Sequence, residues 1–252
     1  IDTAPPDTTI TAGPDDLTNS NDPSFSFSSS ETGSSFTCQL DSGPAAPCAT
    51  PQSYTNLADG PHTFTVFATD AAGNADASPA TDAWVVDTSG PDTTINSGPS
   101  GLTSDNTPAF TFSSETNATF ACHLDDGDWA ACASPLEYGV LADGPHTFSV
   151  SASDAAGNTG PAAERAFTID SAMPGVTIDT HPPALTNNND ATFSFSGEAG
   201  ATLACKLDSE TFVACASPVS TTDLSDGAHT FTVRATDSAG NSAEAAYTWT
   251  ID

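Results

Sequence analysis

The feature that most constrains this chain is that it repeats itself. His-Thr-Phe occurs at His62-Thr63-Phe64, His146-Thr147-Phe148 and His229-Thr230-Phe231. Ala-Gly-Asn recurs at Ala72-Gly73-Asn74, Ala156-Gly157-Asn158 and Ala239-Gly240-Asn241, and paired cysteines at Cys38/Cys48, Cys122/Cys132 and Cys205/Cys215. All three series keep one register, stepping by 84 and then 83 residues, as the histidines at 62, 146 and 229 show. Self-similarity at a fixed period marks an array of equivalent units. The ends share the frame: Val86-Asp87, Ile169-Asp170 and Ile251-Asp252 close periods, and Ile1-Asp2 has the same form. The periods are therefore set at 1–87 (residues 1–2 ending a preceding repeat), 88–170 and 171–252. A longer natural polypeptide is expected on both sides.

Within a period the hydrophobic spacing is that of strands. Phe25/Phe27, Phe110/Phe112 and Phe193/Phe195 alternate with small polar residues. Phe36, Cys38 and Leu40 share one parity, as do Phe64, Val66 and Ala68, and the period closes on Trp84/Val86, Phe167/Ile169 or Trp249/Ile251. Period-two alternation buries one face of a strand, and the Gly, Pro, Asn and Asp clusters between runs supply turns. No segment carries a 3.6-residue period. About seven strands in each period fit an immunoglobulin-like sandwich, and fit a closed barrel, the alternative, less well. The expected fold is all-β: three tandem immunoglobulin-like β-sandwich domains in an extended rod, on the order of 100 Å long.

Charge narrows the partners. Three Lys and Arg stand against 33 Asp and Glu, a formal charge of −30. Such a surface does not neutralise phosphates, so nucleic acid is excluded as a partner and an anionic membrane is disfavoured. No apolar run reaches the roughly 18 residues needed to span a bilayer, so no direct membrane insertion is expected of this segment. The carboxylates invite calcium, screening by salt, or simply keep the protein soluble.

The Cys-x9-Cys element encloses a turn signal, Asp125-Asp126-Gly127 in the second repeat. Its cysteines belong on neighbouring antiparallel strands or just past them. Local disulfides Cys38–Cys48, Cys122–Cys132 and Cys205–Cys215 follow, each stabilising by a little under ~3 kcal/mol. Two cysteines per repeat at this spacing suit neither zinc nor a redox Cys-x-x-Cys. Disulfides place the protein at the cell surface or outside the cell.

The strings Asp92-Thr-Thr-Ile, Leu141-Ala-Asp-Gly-Pro-His-Thr-Phe and Ala152-Ser-Asp-Ala-Ala-Gly-Asn resemble the bacterial Ig-like repeats of large surface adhesins, across essentially the whole chain. The Cys-x-Leu-Asp element looks like a disulfide-bearing branch of them, with Glu210 replacing Gly43 and Gly127 in the third repeat. In such repeats the Asp-x-Ala-Gly-Asn turn can face the linker to a neighbouring domain. The turn residues Asp70/Asn74, Asp154/Asn158 and Asp237/Asn241, with linker residues Asp2, Asp7, Asp87, Asp92 and Asp170, are thus candidate Ca²⁺ ligands that would stiffen the joints. Gly175 removes the second linker Asp from the last joint. The competing reading is that Asp and Asn only shape the turn.

The repeated His62, His146 and His229 lie one per domain and read as structural. Trp129 and Phe212 share a hairpin position that is Ala45 in the first repeat. They are expected to cover the neighbouring disulfide, whereas an exposed aromatic unique to one repeat would favour sugar or partner binding. Asn117-Ala118-Thr119 is the sole N-glycosylation sequon. No nucleophile elbow, phosphate-cradling loop or paired metal motif is present. The expected role is a non-catalytic stalk of a microbial adhesin or extracellular filament, its partners being neighbouring repeats of the same chain. The alternatives are a self-assembling filament subunit, contacting other copies, or a carbohydrate- or protein-binding module.

Overall fold

A computed structural model describes residues 2–252; Ile1, one of the frame markers, lies outside the described residues. All regular elements among them are strands. In the first repeat these are β1 (Thr8–Ala12), β2 (Leu17–Thr18), β3 (Ser24–Ser29), β4 (Ser35–Leu40), β5 (Ala46–Cys48), β6 (Gln52–Ser53), β7 (Gly60–Thr69) and β8 (Ala80–Val86). They form a three-stranded sheet, β1-β3-β6, packed against a five-stranded one, β2-β8-β7-β4-β5. The same pair of sheets recurs in the second and third repeats, giving three Ig-like sandwiches in tandem.

The extra strand beyond the expected seven comes from splitting the first one. β1 pairs antiparallel with β3, then the chain crosses to the other sheet and β2 pairs parallel with β8. Gly13-Pro14 and Gly98-Pro99 lie at this crossing, where proline denies the ladder a donor. At Gly98, φ is +144° and an added Cβ would strike the Phe110 ring at 2.3 Å, so glycine is required there.

The alternating runs face inward as their parity demands. Phe25, Phe64, Val66 and Ala68 are fully buried, as are Phe110, Phe148 and Phe193 at equivalent places. Phe25 stacks on Phe64 with centroids 4.1 Å apart; Phe110–Phe148 and Phe193–Phe231 repeat the contact at 4.1 and 4.2 Å. Trp84 or Trp249 closes the core beside them, with Phe167 in the second repeat. Each buried Phe contributes about 1.5–3 kcal/mol by transfer from water, which a domain of some eighty residues needs. Cys38 bonds Cys48, Cys122 bonds Cys132 and Cys205 bonds Cys215, with Cα atoms 5.7 to 5.9 Å apart. Each bridge staples the short edge strand β5, or its counterpart, to β4. Among the described residues no helix is long and apolar enough to cross a membrane.

Candidate functional site

The Asp-x-Ala-Gly-Asn turn follows the longest strand of each repeat, and its chemistry is local. Asp70 Oδ1 accepts the N–H groups of Ala72 and Asn74 at 2.9 and 2.8 Å, while Oδ2 accepts the Asn74 side-chain amide at 2.7 Å. Gly73, with φ +94°, makes the bend. Asp154/Asn158 and Asp237/Asn241 reproduce the carboxylate–amide contact at 2.8 and 2.9 Å. The Asn74 amide hydrogen bond, ahead of the opposing effect of burial, holds the Asp70 carboxyl below its ordinary pKa, and Asn158 and Asn241 do the same for their partners.

The same asparagines also reach across the joints. Asn158 donates from Nδ2 to the Asp87 carbonyl at 2.7 Å, and Asn241 to the Asp170 carbonyl at 2.7 Å. Asn74 makes the corresponding bond to the Asp2 carbonyl at 3.3 Å. Each acceptor belongs to the residue that closes a repeat, so each turn grips the end of the preceding one. From the other side, Asp59 Oδ1 accepts the N–H and hydroxyl of Thr88 at 3.1 and 2.8 Å, and Asp143 holds Ser171 at 3.0 and 2.7 Å. Sequence reasoning missed Asp59 and Asp143, although they sit in the repeated Ala-Asp-Gly string.

The linker also packs closely on the next repeat. A Cβ on Gly160 would lie 1.8 Å from the Pro91 carbonyl oxygen, so the chains meet backbone to backbone. In the first repeat Asp76 stands at that position and accepts the Thr8 N–H at 2.8 Å.

Of the candidate metal ligands, the structure brings Asp70 together with Asp2 and with Glu31, which sequence reasoning overlooked. Carboxylate oxygens of these three lie within 4.8 Å of one another. Burial, then the charges of Asp2 and Asp70, raise the Glu31 pKa, as expected where like charges crowd. Glu115 and Glu198 occupy the same loop position in the other repeats, but no comparable triad converges there among the described residues. Asp87 and Asp170 turn their carboxylates to the backbone N–H of Ser89 and Ala172, at 3.2 and 3.1 Å. Asp92 is exposed, and its carbonyl accepts the Ser114 hydroxyl at 2.7 Å.

The histidines form a second recurrent constellation. His62 Nδ1 lies 2.9 Å from Asp41 Oδ2 and its Nε2 2.8 Å from the Ala58 carbonyl. His146 faces Asp125 and Ala142, and His229 faces Asp208 and Ser225, at 2.8 to 2.9 Å. Two acceptors confront two ring nitrogens, which an imidazolium alone satisfies. The Ala58 carbonyl first, and Asp41 after the opposing effect of burial, raise the His62 pKa.

Asn117 is exposed in a turn with φ +68°, accessible to modification. The hairpin aromatics do not cover the disulfides. Ala131 pairs with Ala121, whose side chain points opposite to the buried Cys122, and Trp129 shares the parity of Ala131. Trp129 accordingly meets His123 on the outer sheet face, with centroids 4.4 Å apart, and Phe212 lies against Lys206 and Arg234.

No curated protein matches the chain. Among solved structures it is similar to a part of a 1.5-MDa bacterial ice-binding adhesin, with 16% identity over 99% of this chain and 98% of that one and a TM-score of 0.48. It is also similar to fibronectin(III)-like modules of Clostridium thermocellum CbhA (14% identity, 64% and 93% coverage, TM-score 0.40). A tetra-tandem repeat from the extending region of a large adhesion protein gives 18% identity, 98% and 74% coverage and a TM-score of 0.30. The model of the bacterial Ig-like domain matches residues 1–88, 85–171 and 177–252. With that model matched three times over nearly its whole length, the chain belongs to the bacterial Ig-like domain family.

Proposed function

We propose that the chain is a non-catalytic spacer, a run of extracellular Ig-like domains that holds an adhesin or filament away from a microbial surface. The observation that carries this reading is the two-sided joint. The residues between repeats are held by Asp59 or Asp143 from the domain behind and by Asn158 or Asn241 from the domain ahead. Two charge-assisted bonds from the domain behind and one amide bond from the domain ahead restrict swivelling of a short linker, which is what a spacer must do. The asparagine of the turn makes its contact with the end of the preceding repeat in all three copies, and local disulfides suit an oxidising compartment.

Calcium is the ion these joints would take. Hard carboxylate oxygens suit it, and Asp2, Glu31 and Asp70 would supply three of its six to eight ligands at the first joint. The sequence equivalents are Asp87, Glu115 and Asp154, then Asp170, Glu198 and Asp237. Screened by a divalent ion, a chain of charge −30 would also repel itself less.

Two measurements separate the parts of this reading. Small-angle scattering of the wild type against Asn158→Ala/Asn241→Ala reports the joints: a shorter, broader distance distribution in the variant is expected, and identical curves would remove the spacer argument. Thermal melting with millimolar Ca²⁺, with chelator, and with Mg²⁺ or NaCl as controls reports the ion. A rise specific to Ca²⁺ is expected, and coincident curves would discard calcium while leaving the joint intact.

A further inference from the structure

The outer face of the five-stranded sheet is finished differently in each repeat, and among the described residues only the second leaves an aromatic ring open beside unfilled space. In the first, the hairpin contributes Ala45 and the sheet itself supplies Phe67. In the third, Phe212 packs on the Arg234 guanidinium, 3.9 Å from its centroid, with Lys206 at 4.9 Å. Arg234 is fixed in turn by Glu244. The register aligns Lys206 with His123, Arg234 with Ser151 and Glu244 with Ala162. The second repeat thus keeps a large ring, sets His123 edge-on against it in place of Lys206, and puts Ser151 and Ala162 where the third repeat has Arg234 and Glu244.

Trp129 is 48% exposed as a result. A groove of about 420 Å³ runs along it, floored by Ala121, Ser151, Gly160 and Ala162 and edged by Ser153 and Thr159. The Ser151 hydroxyl has no protein hydrogen-bond partner among the described residues. On the far side of His123 lies a second depression bordered by Asp126, Ser149 and Glu164. One exposed indole face, hydroxyls beneath it and two carboxylates nearby are thereby gathered on one sheet.

We propose that this face of the second repeat binds a neutral pyranose unit of a glycan. An indole face carries negative quadrupole charge and attracts the polarised C–H groups of a sugar ring. Ring hydroxyls find mixed partners in Ser151 and in the hydrogen-bonded Ser153–Thr159 hydroxyl pair, while Asp126 and Glu164, beyond His123, offer acceptors to a neighbouring unit of the glycan. The groove falls in the volume range of small-ligand sites, and a protein partner would need roughly 800 Å² of matching surface instead. Charge selects among sugars: with −30 on the chain and no Lys or Arg on this face, uronic and sialic acids are repelled. This site is independent of the spacer reading.

The test is an NMR titration of the whole chain with methyl glycosides of glucose, galactose, mannose and N-acetylglucosamine and their neutral trisaccharides, with trigalacturonate as the anionic arm. The Trp129 indole N–H should shift saturably with at least one neutral sugar and not with trigalacturonate. Trp129→Ala, followed through the Ser151 and Thr159 amides, and Ser151→Phe, which rebuilds the first repeat's surface, should each weaken binding by about tenfold or more. Unchanged amide signals of Phe110, Val150 and Phe167 in the second repeat's core show that both variants fold. The proposal falls if no neutral sugar moves the Trp129 signal at ~50 mM, a concentration that would nearly saturate a site of millimolar Kd. It falls equally if the shift survives both variants, or if protein concentration alone reproduces it, which would make the face a contact between copies.

Discussion

Substituting His229 by Gln removes one proton-dependent clamp from the third repeat. The imidazole is only 10% exposed and bridges Asp208 Oδ2 and the Ser225 carbonyl. With both nitrogens donating, at least one bond is charge-assisted, and such a bond is worth about 1.5–3 kcal/mol. The Ser225 carbonyl first, and Asp208 next, raise the folded pKa of His229 above its unfolded value. The native state therefore holds more protons than the unfolded state once pH passes roughly 6.5. Stability from this group is complete below that value and is lost as pH rises through the folded pKa, by at most ~1.4 kcal/mol per pH unit. Asp208 works in the opposite sense. Burial pushes its pKa up, but the bonds from His229 and the Thr230 N–H outweigh it and the net effect is a lowering. Its contribution is present above about pH 4 and disappears as pH falls through the folded value. The clamp is thus strongest between roughly pH 4 and 6.5. Urea unfolding read from amide signals of the third repeat, between about pH 5.5 and about pH 9, should show a midpoint that declines with pH in the wild type and much less in His229→Gln. If the His229 ring titrates at or below the unfolded value, or if the wild-type midpoint is flat over that range, the doubly protonated ring is wrong.

Other substitutions probe the rest of the fold. Replacing Cys122 and Cys132 by Ala opens a loop of sequence separation 10 and should lower the stability of the second repeat by about 2.8 kcal/mol in the chain-entropy model, measured by urea unfolding. Phe193→Ala removes a fully buried ring stacked on Phe231 and should cost about 3–5 kcal/mol, the largest loss of the set, with the other two repeats unaffected. Trp84→Phe should change stability by less than about 1.5 kcal/mol: the indole N–H is buried without an acceptor among the described residues, and the second repeat already uses Phe167 there. Gly160→Ala drives a methyl group into the Pro91 carbonyl and should destabilise the second repeat and its linker by about 1–3 kcal/mol, visible as earlier melting and faster amide exchange near Thr159.

Much of this was legible in the residues because strand parity leaves little freedom. Phe25, Phe64 and Val66 had to share a face, and a ten-residue spacing had to close locally. The split of β1 from β2 was not read, since it depends on which sheet each half joins. The partner of His62 was hidden for a similar reason: Asp41 is 21 residues away and arrives through the β4–β7 pairing. Glu31 escaped notice because its loop is remote in sequence from both Asp2 and Asp70. The side of the sheet taken by Trp129 could have been deduced, since Ala131 and Ala121 follow the hairpin register. Whether its neighbours filled the space above Ser151 depended on three strands that only the folded sheet brings together.

The local disulfides also bear on how an array of this kind oxidises. Six cysteines can pair in 15 ways. Within a repeat the partner is 10 residues away, while Cys48 and Cys122 in adjacent repeats are separated by 74. Loop-closure statistics scale with the three-halves power of length, favouring the near partner by about twentyfold while the chain is still unfolded. The β4–β5 hairpin then raises that preference further by holding the two sulfurs together. Each module can therefore be sealed as a separate event, and adding modules lengthens the polymer without enlarging its problem of choosing partners.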